Sequence, residues 1–85
     1  MSDADQYLNK AKTLAAKTYN DNLPVHADED DFYVVWFCKT LGNWKALVST
    51  DAVSGVYLEV THNGAKQETY VDLYHKSANR AWPDA

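Results

Sequence analysis

The side chains of this sequence best suited to metal binding or nucleophilic attack are Cys38, His26, His62 and His75. A zinc site needs three or four such ligands converging at metal-ligand spacing, and none of these four stands in a paired motif. His62 falls at an expected hairpin tip and His75 near the far end of the neighbouring strand, so the register separates them. A nucleophilic Cys38 would need a nearby base and a lowered pKa. It sits instead in an apolar strand, where a buried structural thiol is expected. The acidic run Asp28-Glu29-Asp30-Asp31 lacks the alternating oxygen ligands and the glycine of a calcium loop, and reads as solvated charge. The three glycines all fall at turns, which leaves no phosphate-cradling loop. The serines lie in turns or at strand ends, so no Ser-His-Asp arrangement can be drawn. No catalytic residue, metal site or cofactor is predicted, and the chain is expected not to be an enzyme.

The residues that carry recognition chemistry are aromatic and acidic. Asn63-Gly64 is the clearest hairpin signal, since both positions of a type I′ turn need positive φ. A two-residue turn there sets Tyr57 opposite Tyr70 and Glu59 opposite Glu68, on one face with Asp72 and Tyr74. Val56, Leu58 and Val60 then share the opposite, core face with Thr69, Val71 and Leu73. Aromatic rings set among carboxylates can hold a basic protein segment, with Arg or Lys stacking on Tyr and pairing with the acids. The alternative is that this face covers itself or forms a homodimer interface. The like-charged Glu59–Glu68 pair is mildly unfavourable, and solvent is expected to separate the two.

The elements that position these residues begin with Asp31-Phe32-Tyr33-Val34-Val35-Trp36-Phe37-Cys38-Lys39-Thr40-Leu41. β-Branched and aromatic residues fit a pleated sheet, and the run is too short to span a membrane. Simple alternation places Phe32, Val34, Trp36 and Cys38 on one face and Tyr33, Val35 and Phe37 on the other. Both faces are apolar, which predicts a central strand covered on both sides. Before it, residues 2–20 read as an amphipathic helix capped by Ser2, with Asp5 in a capping-box position. Its apolar stripe is Ala4, Tyr7, Leu8, Ala11, Leu14, Ala15 and Tyr19. Asn20, Asp21, Asn22 and Pro24 are expected to stop it. Gly42-Asn43 signals a tight turn into Trp44–Thr50, followed by a strand over Val56–Thr61 and another from Lys66 to about His75.

These signals predict one α+β domain over residues 1–85. The N-terminal helix packs on a four-stranded antiparallel meander of order 1-2-3-4, with the sheet over 32–76. Residues 77–85 form either a frayed tail or a short C-terminal helix halted before Pro83. The helix can cover one sheet face only. Tyr33, Val35, Phe37 and Trp82 are therefore candidates for core or interface, and the second face needs the Trp82 tail, another copy or a partner to cover it.

Eighty-five residues sit near the small end of independently folding domains. Three Trp and six Tyr in so short a chain imply a dense aromatic core or an aromatic surface awaiting a partner, and a homodimer is one solution. A net charge of −4 and a single arginine, Arg80, argue against a general nucleic-acid backbone binder. The lone cysteine excludes an intramolecular disulfide, and the acidic N-terminus has no apolar segment of a signal peptide. A cytoplasmic protein with no membrane partner is expected.

The block Asp30–Leu41, followed by Lys45–Thr50, Gly55–Gly64 and Tyr70–Tyr74, resembles a family of small uncharacterised proteins from phages and prophages of Gram-positive bacteria. That resemblance covers most of the chain after the helix. It implies a bacterial host cell and transfers no catalytic residue, because the family has no assigned activity. The function expected is a non-enzymatic module that binds a host or phage protein through its acidic aromatic sheet face. The alternatives are a single-stranded nucleic-acid accessory factor that stacks bases on sheet aromatics, and an acidic DNA mimic. The mild net charge weakens the mimic.

Overall fold

The computed structural model describes residues 3–84. Helix α1 runs from Asp3 to Asn22, so the Ser2 cap lies outside the described residues. Along it Ala11, Ala15, Ala16 and Tyr19 are buried and Tyr7 packs against the same core. Small side chains on this stripe let the helix axis lie close to the sheet. The asparagines expected to end the helix are instead absorbed into its last turn. The Asn20 side chain accepts from the Ala27 N–H at 2.8 Å and donates to the Ala27 carbonyl at 2.9 Å, clasping the returning loop to the helix. Asn22 Nδ2 donates back to the Thr18 carbonyl at 2.7 Å.

The acidic run forms a 3-10 turn over Glu29–Asp31. Asp31 Oδ2 accepts from the Asp28 N–H at 3.0 Å, and Thr13 Oγ1 donates to Glu29 Oε1 at 2.6 Å. Two of its carboxylates thus shape and anchor the turn that carries the chain onto the sheet.

Four antiparallel strands follow, β1 Phe32–Thr40, β2 Asn43–Thr50, β3 Val56–Asn63 and β4 Glu68–His75, in the order β1-β2-β3-β4. With the helix on one side this is the expected α+β meander. In that order β1 is an edge strand, and the interior strands are β2 and β3. The apolar character of both faces of β1 has another origin. Val34 pairs with Val48 and Trp36 with Leu47, which leaves Val35 as the extra residue of a β-bulge. The bulge resets the alternation. Phe37 comes opposite buried Ala46 on the helix side, while Trp36 and Cys38 turn to the outer face. Simple alternation had put these three residues on the wrong sides.

Both hairpin loops differ from their sequence reading. The β1–β2 loop is Leu41-Gly42, with Thr40 paired to Asn43, and its left-handed residue is Leu41 at φ 56°. The β3–β4 loop spans Gly64 to Gln67, because Asn63 pairs with Glu68. Asn63 supplies its side chain rather than a left-handed backbone. Its Oδ1 accepts from the Ala65 and Lys66 N–H groups at 3.1 and 3.3 Å, an Asx turn, and Gln67 takes the left-handed position at φ 53°. Consequently Tyr57 meets Tyr74 rather than Tyr70, and Glu59 meets Asp72 rather than Glu68. The slip is an even number of residues, so every side chain keeps its expected face while losing its expected partner.

The core lies between α1 and the inner sheet face. Tyr19 meets Phe32 edge-on at 5.5 Å, beside Val48, Leu58 and Val60, all fully buried. Near the loop end, Tyr7, Phe37, Trp44 and His62 continue it, with His62 stacked on Trp44 at 5.5 Å. Residues 76–84 form no regular structure. Among the described residues no helix is long and apolar enough to cross a membrane.

Candidate functional site

The outer sheet face carries no covering element among the described residues. Register places its side chains in rows across the strands. Tyr33, Ser49, Tyr57 and Tyr74 form the first row, and Trp36, Leu47, Glu59 and Asp72 the second. Cys38, Lys45, Thr61 and Tyr70 form the third. The extra residue Val35 also lies exposed beside Trp36. Tyr57, Tyr70 and Tyr74 keep 40–44% of their surface and Trp36 48%. Aromatic rings half-open to water on one continuous face make a patch of the kind that marks an interaction surface.

Its electrostatics are acidic. Glu59, Glu68 and Asp72 face one ammonium, Lys45, whose Nζ lies 3.4 Å from Glu59 Oε1. This partly exposed pair contributes at most about 1 kcal/mol, and among the described residues Glu68 and Asp72 have no ion-pair partner. The Tyr70 hydroxyl donates to Glu68 Oε2. That bond, followed by partial burial and the Glu68 charge, holds the Tyr70 phenol above its ordinary pKa. Tyr74 is raised as well, first by the charge of Glu59, then by partial burial, Asp72 and Tyr57, with Lys45 opposing. As neutral phenols they donate hydrogen bonds, and their rings offer an electron-rich face to a cation.

The structure thus brings together Tyr57, Glu59, Glu68, Tyr70, Asp72 and Tyr74 on one face. It adds Tyr33 and Val35 to that face and removes Phe37, which packs between Tyr7 and Trp44 in the core. Trp82 docks nowhere: it is 71% exposed, with the Arg80 guanidinium 4.2 Å from its ring centre. Trp36, Leu47 and Lys45 were missed as members. The bulge hides the first from any alternation rule, whereas Leu47 and Lys45 alternate cleanly with Trp44, Ala46 and Val48 and were legible. Beside Trp36 the face dips into a shallow depression of about 340 Å³, reaching Cys38, Lys45 and Thr61.

The candidate ligands of the sequence are dispersed. Cys38 is exposed rather than a buried thiol. His26 lies 3.5 Å from Asp28 in the loop after α1, and His62 Nδ1 shares a 2.8 Å hydrogen bond with Thr69. His75 sits opposite Val56 at the other end of the sheet. Among the described residues no three His, Cys, Asp or Glu side chains group to hold a metal ion.

Comparison with protein families matches residues 8–84 to one described as a family of unknown function (DUF6275). No curated protein and no solved structure matches the chain.

Proposed function

We propose that this chain, which belongs to the DUF6275 family of unknown function, is a non-enzymatic interaction module of phage or prophage type. It acts in the bacterial cytoplasm, and its outer sheet face holds a cationic segment of a host or phage protein. One observation carries this reading: half-exposed Tyr57, Tyr70, Tyr74 and Trp36 share an uncovered face with three carboxylates and a single lysine. A partner's Arg or Lys can stack on a ring and pair with Asp72 or Glu68, gaining on the order of 0.5–2 kcal/mol per contact as water leaves. The same charges oppose a single-stranded nucleic acid, whose phosphates need clustered cations along the groove.

The test is affinity capture from infected host cells with the tagged full chain, compared with Tyr57→Ala/Tyr74→Ala and with Asp72→Lys. Each variant must first unfold cooperatively. The expected result is a discrete set of retained proteins for the native chain, lost with either variant. Undiminished retention by both variants would remove the outer face from the function. Quenching of Trp36 fluorescence by an oligonucleotide at low salt would shift the assignment to nucleic acid.

A further inference from the structure

We infer that the free edge of β4 pairs antiparallel with β4 of a second copy, about a two-fold axis at Val71. The two four-stranded sheets then run on as one, and the outer face stays open to a partner. Only one of the two sheet edges is regular. β1 carries the Val35 bulge, which breaks its row of free donors and acceptors. β4 pairs with β3 from Glu68 to His75 without a break, and among the described residues no loop or tail backbone bonds to its outer edge.

The Lys76 N–H donates to the Gly55 carbonyl at 2.7 Å, so Lys76 belongs to the series that bonds β3. Bonded and non-bonded pairs alternate along an antiparallel ladder, which puts Glu68, Tyr70, Asp72 and Tyr74 in that same series. The N–H and C=O groups of Thr69, Val71, Leu73 and His75 therefore point away from β3, toward the open edge. About an axis at Val71, Val71 faces its own copy and Thr69 faces the partner's Leu73, and each such pair exchanges two backbone hydrogen bonds.

Side-chain order is what selects a second copy. The outer side of β4 reads Glu68, Tyr70, Asp72, Tyr74, acid and phenol in alternation. Reversed against itself about Val71, it sets Glu68 beside the partner's Tyr74 and Asp72 beside the partner's Tyr70. Every carboxylate then meets a phenol O–H and none meets a carboxylate. An axis at Tyr70 or Asp72 would set acid against acid, and one at Leu73 would drop Glu68 and Thr69 from the pairing. On the inner side Val71 and Leu73 are only half-buried, and a depression of about 470 Å³ opens between them and Thr18 and Asn22 of α1. The partner's Val71 and Thr69 come beside them and cover apolar surface that one chain leaves open.

Sedimentation of the full chain across concentration tests this. The native protein is expected to approach twice its 9.6 kDa, more readily at high salt because each copy carries a net charge of −4. Val71→Pro removes an outward N–H and no bond to β3, so it should abolish the dimer while unfolding stays cooperative. Tyr70→Asp puts like charges opposite each other at both symmetry-related contacts and should weaken association about tenfold. Adding Asp72→Lys to it should restore the dimer. In a Cys38→Ser background, Tyr70→Cys mixed with Asp72→Cys should cross-link on mild oxidation, because Cα atoms of such a non-bonded pair lie about 4.5 Å apart. Neither cysteine variant alone should do so. A native chain that stays monomeric throughout would overturn the inference. So would a dimer indifferent to Val71→Pro and Tyr70→Asp, or one that fails to cross-link. Capture of a partner by a chain that stays monomeric would overturn the dimer alone and leave the proposed function standing.

Discussion

The rings of Tyr57 and Tyr74 stack across the β3–β4 seam, 4.8 Å apart and 10° from parallel, while Tyr70 lies opposite Thr61. Stacked cross-strand pairs couple by about 0.5–1 kcal/mol beyond their burial. A double-mutant cycle of Tyr57→Ala and Tyr74→Ala, read from urea unfolding, should therefore return a coupling of that size. The matching cycle of Tyr57→Ala and Tyr70→Ala should be additive within about 0.5 kcal/mol. Coupling to Tyr70 instead would mean that the hairpin closes with two residues rather than four.

That register is also where sequence reasoning reached its limit. Helix, strand number, order and the core face of β3 and β4 followed from periodicity, because Val56, Leu58 and Val60 alternate without interruption. Which residues meet across a hairpin depends on loop length, and Asn63-Gly64 supports two loops. Asn63 can itself be left-handed or can cap the turn with its side chain, and only the second lets the loop run on to Gln67. On β1 the limit was different. A bulge is invisible to an alternation rule, so Trp36, Phe37 and Cys38 were assigned to the wrong faces and an edge strand was taken for a central one. The candidate face was legible where strands are regular and illegible where one residue is inserted.

Alkaline titration should find Tyr70 and Tyr74 ionising above the ordinary tyrosine range. Both folded pKa values lie above the ordinary 10.0, so folding favours the neutral phenols. Their contribution to stability is complete below that value and is lost as pH climbs through the raised ones. Glu68→Ala removes the hydrogen bond that leads at Tyr70, together with the charge, and should advance its ionisation, visible in tyrosinate absorbance, while leaving Tyr74 late. Glu59→Gln should do the reverse. An unaltered titration in both would mean that neither carboxylate acts on its phenol.

Gly64 is required by proximity rather than by a left-handed backbone. The two hairpin loops touch: the Gly64 N–H donates to Asn43 Oδ1 at 2.9 Å. A Cβ at Gly64 would overlap the Gly42 carbonyl oxygen and stand 2.8 Å from its carbon. Gly64→Ala should therefore cost about 1–3 kcal/mol in thermal unfolding, and Gly64→Asn as much. Gly42→Ala should be tolerated, since its Cβ would approach the Gly64 Cα no closer than 3.8 Å. An asparagine accepted at position 64 would signal a left-handed turn there after all.

Deleting Val35 gives the sharpest test of how the outer face is built. As the unpaired residue of the bulge, it lies between Val34↔Val48 and Trp36↔Leu47. Removing it joins these pairs into a regular ladder: Val34 and Phe37 stay inward, Trp36 and Cys38 outward, and every later pairing is kept. The deletion should fold, with unfolding free energy within about 1 kcal/mol of native and a locally smaller strand twist. Deleting Phe37 instead should abolish cooperative unfolding, because it removes a core ring and turns Cys38 and Lys39 to opposite faces. Were β1 a regular strand, with Phe32, Val34, Trp36 and Cys38 all inward, the Val35 deletion would invert its second half, sending Trp36 and Cys38 out and Phe37 in, and it would fail to fold. A folded, cooperative Val35 deletion therefore separates the bulged strand from the regular one and, with it, decides whether Trp36 belongs to the exposed face.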